Sequence, residues 1–500
     1  MATTSCAAID LGASNGRVVV AELDGDRIRL REAHRFDTPL VQDPSGYQCW
    51  DVDTIEAGVR EGLRAAESLA PLASVGVDTW GVDFALVDDG GARVAPVVSY
   101  RDGRTQAAMA QVVDQLSAAE LYRRTGIQLQ PFNSLFQLAA TAAREPAWLS
   151  RARRLLLLPD YFHLRLCGAR ANEYTDATTT QLWSIQADDW DDRLLAAAGI
   201  GRGLLGRPVE PGTALGALAL PGGARVQVIA PATHDTASSV AAIPLEGSDT
   251  AYISSGTWSL MGIESRVPLA GEAALRQNVT NEGGVERRFR VLKNIVGLWL
   301  TQRIRQELGG EDHLALMHAA EAAAPWRSLV DPEDLRFYNP PSMIEAIRGF
   351  CAETGQQVPE GAGALARCAF ESLALCYRRT AAGLAALRGR PLARVHIVGG
   401  GSQNRLLDQL CADACQLPVR AGPVETAALG NACVQLIALG ALPSLDAARA
   451  LIRRSFQVEE YAPGAAVPAE ALQRFAAFGE ARALRQAQGE RAQRAKEGET

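Results

Sequence analysis

The segment Ala230–Val240 contains the residues whose types and order point most directly to chemistry. Asp235 follows a strand-like run, Val226 to Ala230, and precedes a small-residue segment typical of a helix start. A carboxylate at a helix start lies beside backbone N–H groups that attract anions such as phosphate. Asp235 is therefore a candidate base for taking the proton of a hydroxyl group. Alternatively, Asp235 or Thr236 simply caps the helix.

A second candidate is Asp10-Leu-Gly-Ala-Ser-Asn-Gly-Arg17, where an acid ends a strand and a tight turn follows. The backbone N–H groups and hydroxyl of such a turn suit a polyphosphate. Asp10 suits Mg²⁺, which prefers carboxylate oxygen and water, and Arg17 adds positive charge. No Gly-Lys-Ser/Thr follows, so the segment is not a Walker loop. Taken alone, it is better explained as an ordinary hairpin.

Two further glycine-containing turns occur in the second half of the chain. Ile253-Ser-Ser-Gly-Thr-Trp-Ser259 suits a second phosphate clamp built from backbone and Thr257, or else an ordinary Ser/Gly turn. Val398-Gly-Gly-Gly-Ser-Gln-Asn404 leads from a strand into a helix, and its glycines let the backbone approach a ring or a phosphate closely. Because position 404 is Asn, the dinucleotide pattern Gly-x-Gly-x-x-Gly is not met. A nucleoside site is therefore the better prediction than an NAD site.

A fourth constellation combines Asp78-Thr-Trp-Gly-Val-Asp-Phe84 with Tyr100-Arg-Asp-Gly-Arg104. Trp80 offers an apolar face, and Asp83, Arg101 and Asp102 offer hydrogen-bonding groups suited to a polyol. The alternative is a surface ion pair between Arg101 and Asp102.

These motifs need a scaffold, and the strand and helix pattern of the chain supplies one. Strands are predicted at Cys6–Asp10, Arg17–Leu23 and Arg27–His34, and a helix at Asp53–Leu69, which is typical of an α/β sheet. After residue 247 a strand, turn and strand recur as a weak internal repeat. Residues 105–220 are more helical and irregular, and resemble an insertion or a substrate-shaping lobe.

Composition excludes several classes of function. A net charge of −7 argues against a nucleic-acid or anionic-membrane partner. No apolar run is long enough to span a bilayer and no signal-peptide pattern is present, so we expect a cytosolic protein. Nine scattered cysteines fit reduced thiols and have no metal-binding spacing. A monomer is compatible with the sequence, which does not determine the oligomeric state.

In its motifs and their order, the chain resembles the FGGY family of carbohydrate kinases over nearly its whole length. The strings that carry the resemblance are Asp10-Leu-Gly-Ala-Ser, Asp78-Thr-Trp-Gly-Val-Asp-Phe84, Pro159-Asp-Tyr-Phe162, Glu173-Tyr-Thr175, His234-Asp-Thr-Ala-Ser238, Leu292-Lys-Asn-Ile295, Gly297-Leu-Trp-Leu300 and His396-Ile-Val-Gly-Gly-Gly401. The resemblance implies ATP-dependent phosphorylation of a sugar hydroxyl, with Mg²⁺. It also implies a two-lobed actin-like ATPase (ribonuclease H-like) fold, with duplicated domains around a central cleft.

The resemblance assigns roles to the matching positions. It makes Asp235 the proton acceptor, while Asp10 stays the metal-binding candidate on its own carboxylate chemistry. The implied sugar contacts are Gly81, His234, Asp235, Thr236 and Asn294. The implied ATP contacts are Ala13, Ser14, Asn15, Gly16, Arg17, Thr257, Gln302 and Gly400. Chemistry alone does not reveal Gly81, Asn294 or Gln302.

The expected domains are an N-terminal lobe over 1–246 with the sugar site and base, a nucleotide-binding lobe over 247–465, and a polar helical tail over 466–500. Some relatives carry disulfides, for which Cys351/Cys368 and Cys411/Cys415 are candidate pairs. A further candidate pair has no cysteine here, at Ser68 and in the Pro221–Gly223 turn, so we claim no bridge.

Two other functions remain open from the sequence. One is a kinase for another ketose or polyol, such as xylulose, fuculose or glycerol. The other is an actin-like nucleotide switch without sugar kinase activity. Asp235 and the Trp80/Asp83 cluster argue against a switch, which needs neither.

Overall fold

The computed structural model describes residues 3–310 and 312–481, which divide into two compact units. Unit 1 contains Met1–Ser248, Ile263–Lys293 and Glu425–Gln457, and unit 2 contains Asp249–Gly262, Asn294–Val424 and Val458–Thr500. The chain therefore returns to unit 1 twice after first leaving it. The sequence predicts contiguous domains with boundaries at 246/247 and 465/466, and these boundaries stay a prediction.

The strands are β1 Thr4–Leu11, β2 Asn15–Asp24, β3 Arg27–Asp37, β4 Leu40–Gln42, β5 Gln48–Trp50, β6 Ser74–Thr79, β7 Phe84–Val87, β8 Arg154–Leu157, β9 Trp183–Ser184, β10 Asp189–Trp190, β11 Ala214–Ala219, β12 Arg225–Ile229, β13 Thr250–Ser255, β14 Trp258–Ser265, β15 Thr280–Gly283, β16 Phe289–Val296, β17 Arg394–Val398, β18 Val419–Ala421 and β19 Glu459–Tyr461.

The α-helices are α1 Val52–Leu69, α2 Thr105–Leu116, α3 Ala118–Thr125, α4 Ser134–Arg144, α5 Pro146–Arg151, α6 Leu158–Cys167, α7 Tyr174–Ala177, α8 Asp192–Ala197, α9 Asp235–Ala242, α10 Glu272–Gln277, α11 Trp299–Glu307, α12 His313–Ala322, α13 Met343–Glu353, α14 Gly361–Arg388, α15 Arg405–Cys415, α16 Thr426–Ala438 and α17 Leu445–Ser455. Short 3₁₀ turns lie at Thr178–Thr180, Arg202–Leu204, Val285–Arg287, Leu335–Phe337 and Gly400–Gln403.

The main sheet of unit 1 has the strand order β11-β12-β6-β1-β2-β3. Strand β1 pairs parallel with β6, and β6 pairs parallel with β12, whereas β1–β2, β2–β3 and β11–β12 are antiparallel. All but one of the residues of β1 are buried, because helices cover both faces of the central strands. The apolar residues Val52, Ile55, Val59 and Leu63 give α1 the spacing of a helix with one buried face.

The sheet of unit 2 repeats the pairing pattern of unit 1. Strands β13 and β14 form an antiparallel hairpin, β13 pairs parallel with β17, β17 pairs parallel with β18, and β18 pairs antiparallel with β19. The order β14-β13-β17-β18-β19 thus corresponds strand for strand to β2-β1-β6-β12-β11. The weak repeat seen in the sequence is confirmed as a duplicated sheet topology.

Helix α16 belongs to unit 1 and packs directly on α9. Gly430 makes this close approach possible, because an added Cβ would lie 1.7 Å from the carbonyl oxygen of Ser238. The hydroxyls of Ser239 and Thr426 are 2.7 Å apart across the same contact. Since α9 begins at Asp235, α16 fixes the helix that carries this carboxylate.

The predicted strands and helices of the first quarter are confirmed to within a few residues. The irregular block at 105–220 forms part of unit 1 and packs around its own apolar cluster, which includes Phe136, Trp183 and Trp190. Gly400–Gln403, between β17 and α15, forms one 3₁₀ turn.

Two other expectations concern the tail and the cysteines. Residues 469–481 of the predicted tail are helical and bury Phe475 and Phe478, and residues 482–500 lie outside the described part of the chain. All nine cysteines, each within the described residues, are free thiols. None of the helices in the described ranges has the length and apolar character that a membrane span requires.

Candidate active site

Three carboxylates that are far apart in sequence meet at the ends of neighbouring strands of unit 1. Asp10 and Asp78 are register partners on the parallel strands β1 and β6. The backbone N–H of Thr79, at the end of β6, donates to the carbonyl of Thr233 at 2.9 Å, and Thr79 forms a parallel bridge with His234. This pairing brings Asp235 next to the strand ends, where parallel sheets present their functional residues.

Arg17 neutralises part of this negative charge. Its Nη2 and Nε donate to Oδ2 of Asp10 at 2.6 and 2.9 Å, and Nη1 donates to the carboxylate of Glu425, the residue before α16. Asp10 and Arg17 face each other across the β1–β2 hairpin, so the turn between them holds both in place. Arg17 therefore supplies positive charge at this hairpin, as its position in the motif predicted. Sequence reasoning missed Glu425, which lies more than 400 residues from its partner.

Asp235 is the first residue of α9, and the capping position before it is occupied by His234. Its Oδ1 accepts the hydroxyl of Thr236 at 3.1 Å, and its side chain is 30% exposed. Burial and repulsion from Asp10 raise the pKa of Asp235 to about 7. A partly accessible carboxylate with a near-neutral pKa suits a general base better than a helix cap.

Gly81 and His234 lie close together beside this base. A Cβ at Gly81 would be 3.3 Å from Nε2 of His234 and 3.2 Å from Oδ1 of Asp176 and Oγ1 of Thr179. Even one added carbon would be tight against these three polar atoms, so glycine allows the loop to lie this close to them. The structure thus brings together Gly81, His234 and Asp235, three of the positions that the resemblance implied as sugar contacts.

Asp78 is a buried acid to which sequence reasoning gave no role. Its Oδ2 accepts from Nδ2 of Asn431 on α16 at 2.6 Å, and its Oδ1 has no hydrogen-bond partner among the described residues. Burial, followed by repulsion from Asp10, raises its pKa well above the usual range. The signal that could have found it is its place at the end of a strand parallel to β1.

A further buried acid, Glu173, supports the loop that precedes Asp235. Oε2 of Glu173 accepts the hydroxyls of Thr175 and Thr233 at 2.6 and 2.7 Å and the backbone N–H of Thr233 at 3.1 Å. Burial raises the pKa of Glu173 to about 7. Glu173 belongs to the motif Glu173-Tyr-Thr175, which carried part of the family resemblance. Its contacts give this motif the structural role of holding the loop before Asp235.

The interpretation of Asp83 as a polyol ligand is wrong. The side chain is fully buried, and its Oδ2 accepts from Nε1 of Trp50 at 2.7 Å, Nε1 of Trp80 at 2.9 Å and the N–H of Tyr100 at 3.2 Å. Its Oδ1 accepts from Nε2 of Gln137 at 3.0 Å. With these donors satisfied, Asp83 holds the loop around Gly81 in place.

The alternative interpretation, a surface ion pair between Arg101 and Asp102, does not match the contacts of these residues either. Asp102 instead accepts from the backbone N–H groups of Gln48 and Arg104, each at 2.9 Å. Nε of Arg101 contacts the hydroxyl of Tyr100 at 3.3 Å.

Unit 2 contains the other predicted nucleotide contacts. Thr257, in the β13–β14 turn, donates its hydroxyl to Oε1 of Gln302 on α11 at 3.3 Å. The 3₁₀ turn that contains Gly400 follows β17, the parallel neighbour of β13. A Cβ at Gly401 would overlap Oγ of Ser255, so a side chain there would separate the two turns. Asn294, the predicted sugar contact, lies on β16 in the part assigned to unit 2, whereas Ala13 to Arg17 belong to unit 1.

The acids of unit 1 fit a magnesium ion that is bound together with a substrate. Within residues 3–310 and 312–481 there is no group of three or more His, Cys, Asp or Glu that could form a metal site. Asp10 offers hard carboxylate oxygen, and Asp78 next to it has a buried oxygen without a partner. Mg²⁺ commonly binds through one or two carboxylates plus substrate phosphates and water, and this donor set fits that mode.

Comparisons with known proteins identify the family. The N-terminal domain of the FGGY family of carbohydrate kinases matches residues 6–240, and its C-terminal domain matches residues 251–439. The rhamnulokinase of Pectobacterium carotovorum subsp. carotovorum (strain PC1) is 49% identical over 468 residues, covering 93% of this chain and 94% of that protein. The rhamnulokinase of Klebsiella pneumoniae (strain 342) is 48% identical over 480 residues, covering 95% and 98%.

Solved structures agree on the fold. The ligand-bound xylulose kinase from Lactobacillus acidophilus superposes with a TM-score of 0.78 over 96% of this chain and 98% of that chain, at 16% identity. The chain therefore belongs to the FGGY family of carbohydrate kinases and has its actin-like ATPase (ribonuclease H-like) fold. The resemblance found in the sequence is confirmed. As a carbohydrate kinase, the protein uses ATP and a sugar as its small-molecule partners.

The position of Asp83 predicts a structural rather than a ligand-binding effect. In Asp83→Asn, an amide N–H₂ replaces one acceptor and leaves buried donors unpaired, which costs about 1–3 kcal/mol per group. We expect a loss of at least about 1 kcal/mol in the free energy of unfolding. The free energy of unfolding is measured by urea denaturation, with tryptophan fluorescence as the signal because Trp50 and Trp80 contact Asp83. The control Asp89→Asn changes a side chain that is 86% exposed and should stay within about 0.5 kcal/mol of the wild type. Equal stability of the two variants would contradict the role given to Asp83.

Proposed function

We propose that this protein transfers the γ-phosphoryl group of ATP to the C1 hydroxyl of L-rhamnulose, giving L-rhamnulose 1-phosphate and ADP in the catabolism of L-rhamnose. The observation that carries the proposal is Asp235, a partly accessible carboxylate with a pKa of about 7 beside Gly81 and His234. The choice of sugar is supported by the rhamnulokinases that are 48–49% identical over nearly the whole chain.

In the proposed reaction, the carboxylate of Asp235 accepts the proton of the C1 hydroxyl while the hydroxyl oxygen attacks the γ-phosphorus in line. A bond forms between that oxygen and the phosphorus, and the bond from phosphorus to the β,γ-bridging oxygen breaks, so that ADP leaves. Gly81, His234, Thr236 and Asn294 are the proposed sugar contacts.

Positive charge and backbone dipoles stabilise the transferred group. The turn from Ala13 to Arg17 is proposed to hold the ATP phosphates, with Thr257, Gln302 and Gly400 as further ATP contacts. Asp10 would hold Mg²⁺, which when bound neutralises charge on the phosphate oxygens. The pair of Arg17 with Glu425 orients the guanidinium beside Asp10. The cytoplasm is the proposed location of this reaction.

A substrate panel tests the choice of sugar. With ADP release coupled to a detection enzyme, we expect the highest kcat/KM for L-rhamnulose among L-rhamnulose, xylulose, fuculose and glycerol. If the protein does not phosphorylate L-rhamnulose but does phosphorylate another sugar of the panel, the proposed substrate is wrong and the assignment as a sugar kinase stands. ATP hydrolysis that is indifferent to every sugar would instead indicate a nucleotide switch.

The raised pKa of Asp235 predicts the pH dependence of the reaction. Only the deprotonated carboxylate accepts a proton, so kcat/KM for the sugar should fall about tenfold per pH unit below about pH 7 and level off above it. The charged or titratable groups around Asp235 include Asp10, Asp78, Asp176, Tyr100, Arg290 and His234. Initial rates at saturating ATP from about pH 5.5 to about pH 9 measure the profile. A profile that stays flat through pH 7 would contradict the assigned base.

Replacement of Asp235 tests the base directly. Asp235→Asn keeps the size of the side chain but removes its ability to take a proton, so kcat should fall at least ~100-fold. Binding of ATP and sugar, measured by calorimetry, should be retained. The matched control is Asp192→Asn, since Asp192 is also the first residue of a helix but is 77% exposed. A kcat near that of the control would remove Asp235 from the mechanism.

A further inference from the structure

A buried arginine, Arg290, contacts the histidine that precedes the proposed base. Arg290 is 1% exposed and lies on β16, directly opposite Glu282 on β15. Its Nη1 pairs with Oε2 of Glu282 at 2.9 Å, and its Nε donates to the carbonyl of Gly283 at 2.9 Å. These two contacts orient the guanidinium so that Nη2 lies 3.2 Å from Nδ1 of His234.

This geometry determines which nitrogen of His234 carries the proton. A guanidinium has only donors, so Nδ1 of His234 must act as the acceptor and cannot be protonated. The competing arrangement, with Nδ1–H donating to Glu282, is disfavoured because Nδ1 and Oε2 are 3.6 Å apart, beyond hydrogen-bond range. The single proton of the neutral ring is therefore on Nε2.

Nε2 is the nitrogen that faces the reacting groups. It lies 3.4 Å from Oδ1 of Asp235 and 3.3 Å from the position of a Cβ at Gly81. The 3.4 Å separation is longer than a strong hydrogen bond, so the Nε2–H group can also donate to a sugar oxygen bound beside Asp235. The neighbouring carboxylate then remains free to accept.

The charge of His234 matters as much as its tautomer. An imidazolium next to Asp235 would stabilise the carboxylate and make it a weaker base. Burial and the positive charge of Arg290 lower the pKa of His234 well below its usual range, so the ring stays neutral. Glu282 balances the charge of Arg290 within the buried pair.

We propose that Arg290, held by Glu282, is a positioning residue that keeps His234 neutral with its proton on Nε2, directed at the sugar and at Asp235. The role in catalysis rests on the proposed sugar phosphorylation. The tautomer of His234 does not, since it follows from the geometry of the unliganded protein.

The first test is ¹⁵N NMR of the full-length protein labelled at histidine, without ligand, with the His234 signals assigned by their loss in His234→Gln. In the wild type we expect a neutral ring with a protonated Nε2 and an unprotonated Nδ1 around neutral pH. In Arg290→Met we expect mixed tautomers or a protonated ring. Arg290→Lys, which retains a charged donor, should restore the wild-type pattern. A wild-type ring protonated on Nδ1, or an unchanged ring in Arg290→Met, would overturn the proposal.

The second test is kinetic. Arg290→Met should lower kcat at least about tenfold, because the wrong tautomer misdirects the proton donor, while the KM for ATP stays unchanged. Arg290→Lys should recover most of the lost kcat. Glu282→Gln retains Arg290 but no longer holds its guanidinium, so we expect a kcat between those of Arg290→Met and Arg290→Lys. A kcat for Arg290→Met equal to that of the wild type would also overturn the proposal.

The matched control removes another buried arginine–glutamate pair of unit 1. Arg449 is 2% exposed and donates to Glu264 at 2.7 and 2.8 Å without contacting His234. Arg449→Met should therefore lower stability but leave the His234 signals as in the wild type, and a change of tautomer in this variant would count against a specific role of Arg290. If the wild type phosphorylates no sugar, the proposed function fails, whereas the NMR result still decides the role of Arg290.

Discussion

The carboxylates of Asp10, Asp78 and Asp235 repel one another in a site that is largely closed to water, and much of unit 1 is arranged around that repulsion. Each acid has a different partner. Arg17 donates twice to Asp10, Asn431 donates to Asp78, and the hydroxyl of Thr236 donates to Asp235. Burial, and after it repulsion from Asp10, raises the pKa of Asp235 to about 7. Burial and charge repulsion thus give the proposed base a pKa suited to neutral pH.

Helix α16 connects two of these compensating contacts. Glu425, just before its first turn, pairs with Arg17, and Asn431, further along, reaches Asp78. Gln435 extends the polar chain by donating to Oδ1 of Asn431 at 2.7 Å and to the carbonyl of Ala7 at 3.0 Å. These buried amides are mutually satisfied, which is what a polar network needs in order to specify one arrangement of the core. The helix therefore contributes to the site without supplying a catalytic group.

The two sheets show how duplication serves a kinase. Each unit has an antiparallel hairpin whose first strand pairs with a parallel strand, and in each a turn of the hairpin carries the predicted phosphate contacts. Unit 1 adds acids at its strand ends, whereas unit 2 adds the glycine turn after β17. The same backbone geometry thus carries different groups in the two units, because the residues at the strand ends differ.

The sequence by itself determined the α/β class, the family and the hairpins and pointed to the proposed base, because alternating apolar patterns and contiguous motifs are local signals. Local signals also misassigned Asp83, whose four donors come from Trp50, Trp80, Tyr100 and Gln137. Only the tertiary structure decided that residue's role, the link between Arg17 and Glu425, and the pairing of Arg290 with His234. The partners in these contacts lie as far as 408 residues apart, and no spacing along the chain encodes a distance that the fold alone creates.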